Sequence, residues 1–359
     1  MAGGGTGGHV VPALAVAREL KSRGHRVVFV GTRAGIEAKL VPAAGFEMEW
    51  IETGAWQRVG LRQRLKTLWR IPVSLARSWR LLESAGAAAV FSLGGYVAAP
   101  VVLAAFLRRV PVVVMEPNAL PGLVNRLGGR WVARALLGFE TTRAWFPAGR
   151  SEVTGVPVRE EFFSLPARPA DEEKTEKELS ILITGGSRGS RTLNQAFRQS
   201  WPLFRAAGIP VRFHLQCGVD AQADLARDFA ATGLAGSVDA FIAAMPAAFA
   251  GADLVVGRSG ANAVAELAAA GKPAILVPFP FAADDHQKKN AEVLAAAGAA
   301  RLVEDRDFTG QRLFDEVSRL AADRRLLAAM AAAARPLARP GAAARAARIL
   351  EEVANRPTS

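Results

Sequence analysis

The sequence predicts an α/β fold of two doubly wound, Rossmann-like domains. Three observations carry this. Compact apolar runs of strand length alternate with helical patterns along the whole chain. Glycine-rich turns join a strand to a helix at Gly3–Gly8 and again at Gly185–Ser190, which repeats one architecture. At 359 residues the chain is long for one core, so two domains are the default.

Composition narrows the class. Hydrophobic content of 50% with charged content of 22% marks a globular chain. The lone cysteine, Cys217, excludes an internal disulfide and any multi-cysteine metal site, and it fits a reducing cytoplasm. No apolar run reaches the ~18 residues of a membrane span, and the glycine-rich N-terminus lacks a signal peptide's charged and apolar regions. A formal net charge of +12 predicts a polyanionic partner: nucleic acid, an anionic membrane surface or a phosphorylated substrate.

The chain opens with Gly3-Gly4-Gly5-Thr6-Gly7-Gly8-His9, then a helix through Leu20 and a strand over His25–Gly31. Gly3, Gly5 and Gly8 satisfy G-x-G-x-x-G, but Gly31-Thr32-Arg33 stands where a dinucleotide site needs an acidic residue, which argues against NAD. Only Met1 and Ala2 precede the loop, where a strand of about five residues belongs. The central strand of the first sheet is therefore expected to be missing or a stub. The expectation that follows is a natural start upstream of Met1, with a loose first domain around Val27–Val30 and Phe91–Leu93.

Phe46–Glu52 alternates as a strand. From there to Glu83 the sequence holds no acidic residue, while Arg58, Arg62, Arg64, Lys66, Arg70, Arg77 and Arg80 interleave with Trp56, Trp69 and Trp79. Leu61, Leu65, Leu68, Leu75, Trp79 and Leu82 follow helical spacing, and Pro72 is expected to kink or split that helix. Arg62, Lys66, Trp69, Arg70 and Arg77 suit an anionic membrane surface; a merely solvated basic face is the competing reading. Nucleic acid is not expected, because no recognised binding module accompanies the patch.

Ala87–Leu93 is the next strand and runs into Gly94-Gly95-Tyr96; Val110–Met115 runs into Glu116-Pro117-Asn118. Both loops lie at strand carboxyl ends, where open α/β sheets bind ligands. The second half restarts with strand Leu179–Thr184, followed by strands at Val211–Gln216, Val238–Ile242, Asp253–Gly257 and Lys272–Pro278. The expected domains are 1–158 and 159–340, with a last helix over 341–354 crossing back to the first.

Asp253–Gly257 feeds Arg258-Ser259-Gly260 and a helix that starts at Ala261 and stops at Gly271. Unpaired N–H groups at such a start carry about half a positive charge and suit a phosphate. Glu266 lies in the second turn, where a carboxylate can accept two ribose hydroxyl protons. An ordinary turn with a solvated Glu is the alternative.

GGGTGGH, LGGY, EPNALPG, GVPVR, TGGSRG, RSGANAVAE and DDHQKKNA occur in this order. Together they closely resemble the bacterial undecaprenyldiphospho-muramoylpentapeptide β-N-acetylglucosaminyltransferases, the peptidoglycan enzymes that make lipid II. The resemblance implies a GT-B fold, two Rossmann-like domains facing across a cleft that holds the active site. It implies inverting transfer of GlcNAc from UDP-GlcNAc to the C4 hydroxyl of the muramoyl sugar of lipid I, by a peripheral protein at the cytoplasmic face of the cell membrane. It places the donor on Thr6, Gly7, Gly8, Asn118, Arg159, Ser187, Ile242, Ala261, Asn262, Ala263, Val264, Ala265, Glu266 and Gln287. Ile242 would meet the uracil, Glu266 the ribose and Gln287 the GlcNAc hydroxyls. His9 matches the family's essential histidine and is the first candidate base, with Glu116 its competitor. Gly94, Gly95 and Tyr96 fall on the acceptor side.

No cofactor or metal is expected; Asp305-Arg306-Asp307 matches a metal-binding Asp-x-Asp literally but reads as a polar loop. Pro117 departs from the family's usual glutamine. A UDP-GlcNAc 2-epimerase of the same fold is the rival enzyme, and a nonenzymatic binder driven by charge is the rival class.

Overall fold

The computed structural model describes residues 1–4, 7–52, 61–95, 97–165 and 178–355. The chain forms two compact units, Met1–Val158 with Arg339–Ser359, and Arg159–Ala338.

The first unit runs α1 (Gly7–Ser22), β1 (Val28–Gly31), α2 (Glu37–Ala43), β2 (Glu47–Trp50), α3 (Leu61–Ser84), β3 (Val90–Ser92), α4 (Ala98–Leu107), β4 (Val112–Glu116), α5 (Leu123–Gly128), β5 (Arg134–Leu137) and β6 (Ser151–Val153). All pairings are parallel, β1 with β2 and β3-β4-β5-β6 in order. Strand alternation splits the core in two. Phe91, Val113, Met115 and Leu136 pack with α1, while Val90, Val112, Val114 and Leu137 pack with α4. Pro72 does not split α3, which runs unbroken past it. Its ring is exposed, so the lost N–H falls on the solvent side.

The expected first strand is a stub that joins the two sheets. Ala2 bridges in parallel to Val30 on one side and Ser92 on the other. The Val30 N–H donates to the Met1 carbonyl at 2.8 Å, the Ala2 N–H to Phe91 at 2.7 Å, and the Leu93 N–H to Ala2 at 3.0 Å. Beside Met1 is a cavity of about 340 Å³ lined by Val27, Val28, Leu81, Ala89, Phe91 and Leu350 among others. The Met1 amino group donates to the Val28 carbonyl at 2.8 Å, and burial pushes its pKa down to about 5.

The second unit runs β7 (Leu179–Thr184), α6 (Arg191–Ala207), β8 (Val211–Gln216), α7 (Val219–Ala230), β9 (Ala235–Asp239), α8 (Met245–Gly251), β10 (Leu254–Gly257), α9 (Ala261–Ala270), β11 (Ala274–Leu276), α10 (His286–Ala296), β12 (Ala300–Leu302), α11 (Gly310–Ala322) and α12 (Arg324–Ala334). Its parallel sheet has the order β12-β11-β10-β7-β8-β9. The winding reverses between β7 and β10, the switch point at which such sheets leave a crevice. The expected strand at Val238–Ile242 lies further upstream: β9 pairs Ala235–Asp239 with β8, and Ile242 falls in the loop beyond. Pairing with the long β8 overrides the poor strand propensity of Ala-Gly-Ser.

The last helix, α13 (Ala342–Ala354), belongs to the first unit. Ala346, Ala347, Ile349, Leu350 and Val353 enter the core beside α1. Arg345 grips Glu152 through two hydrogen bonds of 2.7 and 2.8 Å.

Candidate functional site

At the switch point of the second unit, β10 ends in Gly257 and α9 begins at Ala261. Gly260, extended at φ −61° and ψ 150°, precedes the helix without a side-chain cap. The neighbouring α6 differs: Ser190 caps it by accepting the Leu193 N–H at 3.4 Å. The α9 start therefore has no side-chain cap, whereas the α6 start spends one amide on its own.

Buried partners hold this turn. The Ser259 hydroxyl donates to the Gln287 carbonyl at 2.8 Å, and the Asn290 amide donates to the Ser259 carbonyl at 3.1 Å. The Arg258 guanidinium donates to Val277 O at 3.0 Å, to Asp305 at 2.5 Å and to Ser190 Oγ at 2.7 Å. Asp305 also accepts the Thr192 hydroxyl at 3.1 Å, so this aspartate of the Asp-x-Asp match anchors Arg258 and Thr192. The Gln216 amide donates to Gly186 O at 2.8 Å while its oxygen accepts the Ile242 N–H at 2.8 Å, tying the glycine loop to Ile242. The Ile242 side chain is buried, and Ser187 is exposed on the loop. The Gln287 side-chain oxygen accepts the Phe279 N–H at 3.0 Å, which leaves its NH₂ to donate elsewhere.

Glu266 is half-buried in the second turn of α9. Burial pushes its pKa up to about 7, against the pull of the Arg159 charge. Arg159 lies 5.2 Å above the Phe162 ring, and buried Phe162 packs edge-on to Phe249 of α8. The sheet thus brings Ser187, Ile242, the α9 start, Glu266 and Gln287 to its carboxyl end, with Arg159 beside Glu266.

In the first unit, α1 carries Gly7, Gly8 and His9 in its first turn. His9 Nδ1 lies 3.3 Å from the Gly4 carbonyl. Nδ1 must therefore carry the proton it donates, which leaves Nε2 as the basic nitrogen. Burial lowers the His9 pKa, opposed by the Gly4 bond and the Glu37 charge, so the ring is neutral at pH 7. Gly94 and Gly95 adopt φ +80° and +79°, and a Cβ on Gly95 would touch the His9 ring at 3.5 Å.

Glu116 is 1% exposed and faces inward. It accepts the Asn118 N–H at 3.0 Å, the Asn118 amide at 3.1 Å, the Gly122 N–H at 2.9 Å and the Asn125 amide at 3.0 Å. Burial still raises its pKa. Those donors close the loop around the carboxylate, and Pro117, having no N–H, takes no share in it. Thr6 and Tyr96 lie outside the described residues, as do the side chains of Arg62, Lys66, Trp69 and Arg70. Arg77 is exposed on α3. Sequence reasoning missed Arg258, Gln216 and Glu37. An acidic residue soon after Gly31-Thr32 and Gly35 is the one signal that could have pointed to Glu37.

Sequence models of glycosyltransferase family 28 match at both ends of the chain, the N-terminal domain over residues 1–137 and the C-terminal domain over 180–353. A UDP-N-acetylglucosamine–N-acetylmuramyl-(pentapeptide) pyrophosphoryl-undecaprenol N-acetylglucosamine transferase from Solibacter usitatus is 59% identical over 99% of this chain and 95% of its own. The chain belongs to glycosyltransferase family 28. Among solved structures, the MurG of Acinetobacter baumannii superposes on this family 28 chain with a TM-score of 0.79 at 32% identity, covering 97% of each. A UDP-GlcNAc 2-epimerase from Neisseria meningitidis, bound to UDP-GlcNAc, superposes with a TM-score of 0.65 at 14% identity over 95% of this chain and 97% of its own, a likeness of fold alone.

Proposed function

We propose that this glycosyltransferase moves GlcNAc from UDP-GlcNAc to the muramoyl sugar of a lipid-linked pentapeptide acceptor, forming lipid II. The 59% identical relative of that name supports the reaction. The observation that supports the donor assignment is the uncapped start of α9 at the switch point, with Glu266 in its second turn beside Arg159. The diphosphate sits on the α9 amides with Arg159 as counter-charge, the ribose hydroxyls donate to Glu266, and the uracil rests against Ile242 and the Gln287 NH₂ meets the sugar. The acceptor hydroxyl attacks the anomeric carbon, its proton passes to His9 Nε2, and the bond to the diphosphate oxygen breaks with its electron pair leaving on UDP. We assign Glu116 to holding the acceptor-side loop, because a carboxylate closed in by four donors has no way to reach a substrate proton.

Membrane contact is the finer part of this reading. No helix of the described residues is long and apolar enough to cross a membrane. On α3, Val73 is 66% exposed next to exposed Arg77 and Arg80, and Arg108 stacks 4.8 Å over the half-exposed Trp79. This mixture of apolar and basic groups suits an anionic surface.

One experiment tests both parts. UDP release from UDP-GlcNAc is followed with no acceptor, with a short-chain soluble acceptor, and with the lipid acceptor in anionic vesicles. Release should require acceptor, and His9→Ala should lower kcat by about 10²–10⁴-fold with little change in donor KM. Arg77→Gln with Arg80→Gln should weaken turnover on vesicles and spare the soluble acceptor. Acceptor-independent conversion of UDP-GlcNAc would favour the epimerase, and indifference to vesicle charge would remove the membrane assignment.

A further inference from the structure

Glu37 opens α2, and none of it is exposed. A fully buried carboxylate survives only where donors replace its water. Here Oε1 accepts the Thr32 N–H at 3.0 Å and the Thr32 hydroxyl at 2.9 Å, both from the residue that follows β1. Glycines, with the Met48 side chain, pack against it as well. A Cβ on Gly4, Gly31 or Gly35 would run into the Glu37 side chain. These glycines come from three separate segments, the first loop, the end of β1 and the turn before α2. Their shared lack of a side chain makes a cradle of the carboxylate's size.

Gly4 connects this cradle to the reaction. Its backbone lies against Glu37, and its carbonyl receives the Nδ1 proton of His9. We infer that Glu37 is a positioning residue: clamped at the end of β1, it fixes Gly4, and through the Gly4 carbonyl it fixes the tautomer and direction of the His9 ring. This rests on the reading of His9 as the base.

The same carboxylate acts on the ring through its charge. Among the described residues Glu37 is the charge that bears on His9; Gly4 and Gly95, against which the ring packs, bring none. A negative charge near an imidazole favours its protonated form, so Glu37 works against the burial that lowers the His9 pKa. The base stays neutral at pH 7 yet keeps more proton affinity than burial alone would leave it.

The test uses the full chain. In wild-type protein, ¹⁵N chemical shifts of the imidazole should report the Nδ1–H tautomer for neutral His9; an Nε2–H tautomer overturns the proposal without any variant. Glu37→Gln keeps an oxygen for Thr32 and removes the charge. It should move both the NMR titration of His9 and the acid limb of the kcat profile to lower pH. Glu37→Ala removes the clamp and should lower kcat by up to about 100-fold, the scale of a small misplacement, with donor KM and UDP affinity within twofold. Should the alanine variant fail to fold, the tautomer and the glutamine titration decide. A His9 titration unmoved in Glu37→Gln means that the carboxylate only closes α2. If His9→Ala leaves kcat intact, the base assignment fails by itself, and the tautomer and titration still judge the positioning.

Discussion

Glu266 shows how one burial sets the sign of two pH effects. Its folded pKa of about 7 lies above the ordinary carboxylate value of 4.5. Folding therefore favours the neutral form. The group's contribution to stability is fully present below pH 4.5 and is lost as pH rises through 7. Glu266→Gln removes this loss, so the variant's melting temperature should gain on wild type between pH 5 and pH 8. Binding has the opposite slope. Ribose hydroxyls donate to the ionised carboxylate, so the nucleotide draws the pKa down and releases a proton. UDP should bind about tenfold more weakly at pH 6 than at pH 8, the ratio of ionised fractions for a pKa near 7. The phosphate's own titration near pH 6 adds to both proteins alike, so the difference from Glu266→Gln isolates the carboxylate. Calorimetry in two buffers of different ionisation enthalpy reads the released proton; equal corrected affinities at both pH values would remove Glu266 from the ribose.

Glu266 and Gly260 were legible because a strand, a Ser-Gly turn and a helix start are consecutive in sequence. Glu37 was not legible, because the glycines packed against it come from three separate segments. The Arg258–Asp305 pair was not: each member falls in a marked stretch, but they lie 47 positions apart and nothing local links the two.

The stub is the only bridge between the β1–β2 pair and β3 among the described residues. Alternation turns the Val28 N–H the same way as that of Val30, toward the cavity rather than toward β2. Two residues of pairing hold β1 to β3, whereas β7 and β8 pair over six. Amides at Val27–Val30 and Phe91–Leu93 should therefore exchange faster than those at Leu179–Thr184. Equal protection in the two units would mean that Met1 and Ala2 suffice. A fused extension of about five apolar, β-branched residues, an ordinary strand length, should fill the cavity and raise the melting temperature of the first unit.

Strand legibility followed length and chemistry. Leu179–Thr184 and Val211–Gln216 could be read to the residue from their β-branched and aromatic content. Three elements, β5, β6 and β12, are four residues or fewer and carry Arg, Ser or Glu, so only pairing defines them.

At the scale of the whole molecule, the units differ in how the chain builds them. The second is one continuous segment; the first needs residues from both ends. Deleting everything after Gly341 removes Ala346, Ala347, Ile349, Leu350 and Val353 from the core they share with α1 and strips Arg345 from Glu152. The first unit should then lose its cooperative melting, while UDP binding and the melting of the second persist; unchanged melting of both would make α13 an ornament.

That divided construction also orders the molecule in time. Synthesis runs from the N-terminus, at about 5–20 residues per second. The first unit is left waiting for roughly ten to forty seconds while Arg159–Ala338 is made. Throughout that interval α1 shows its apolar face to solvent and to any chaperone that reads such faces. The half of the protein that leaves the ribosome first therefore waits for a helix that leaves after the other half has been made.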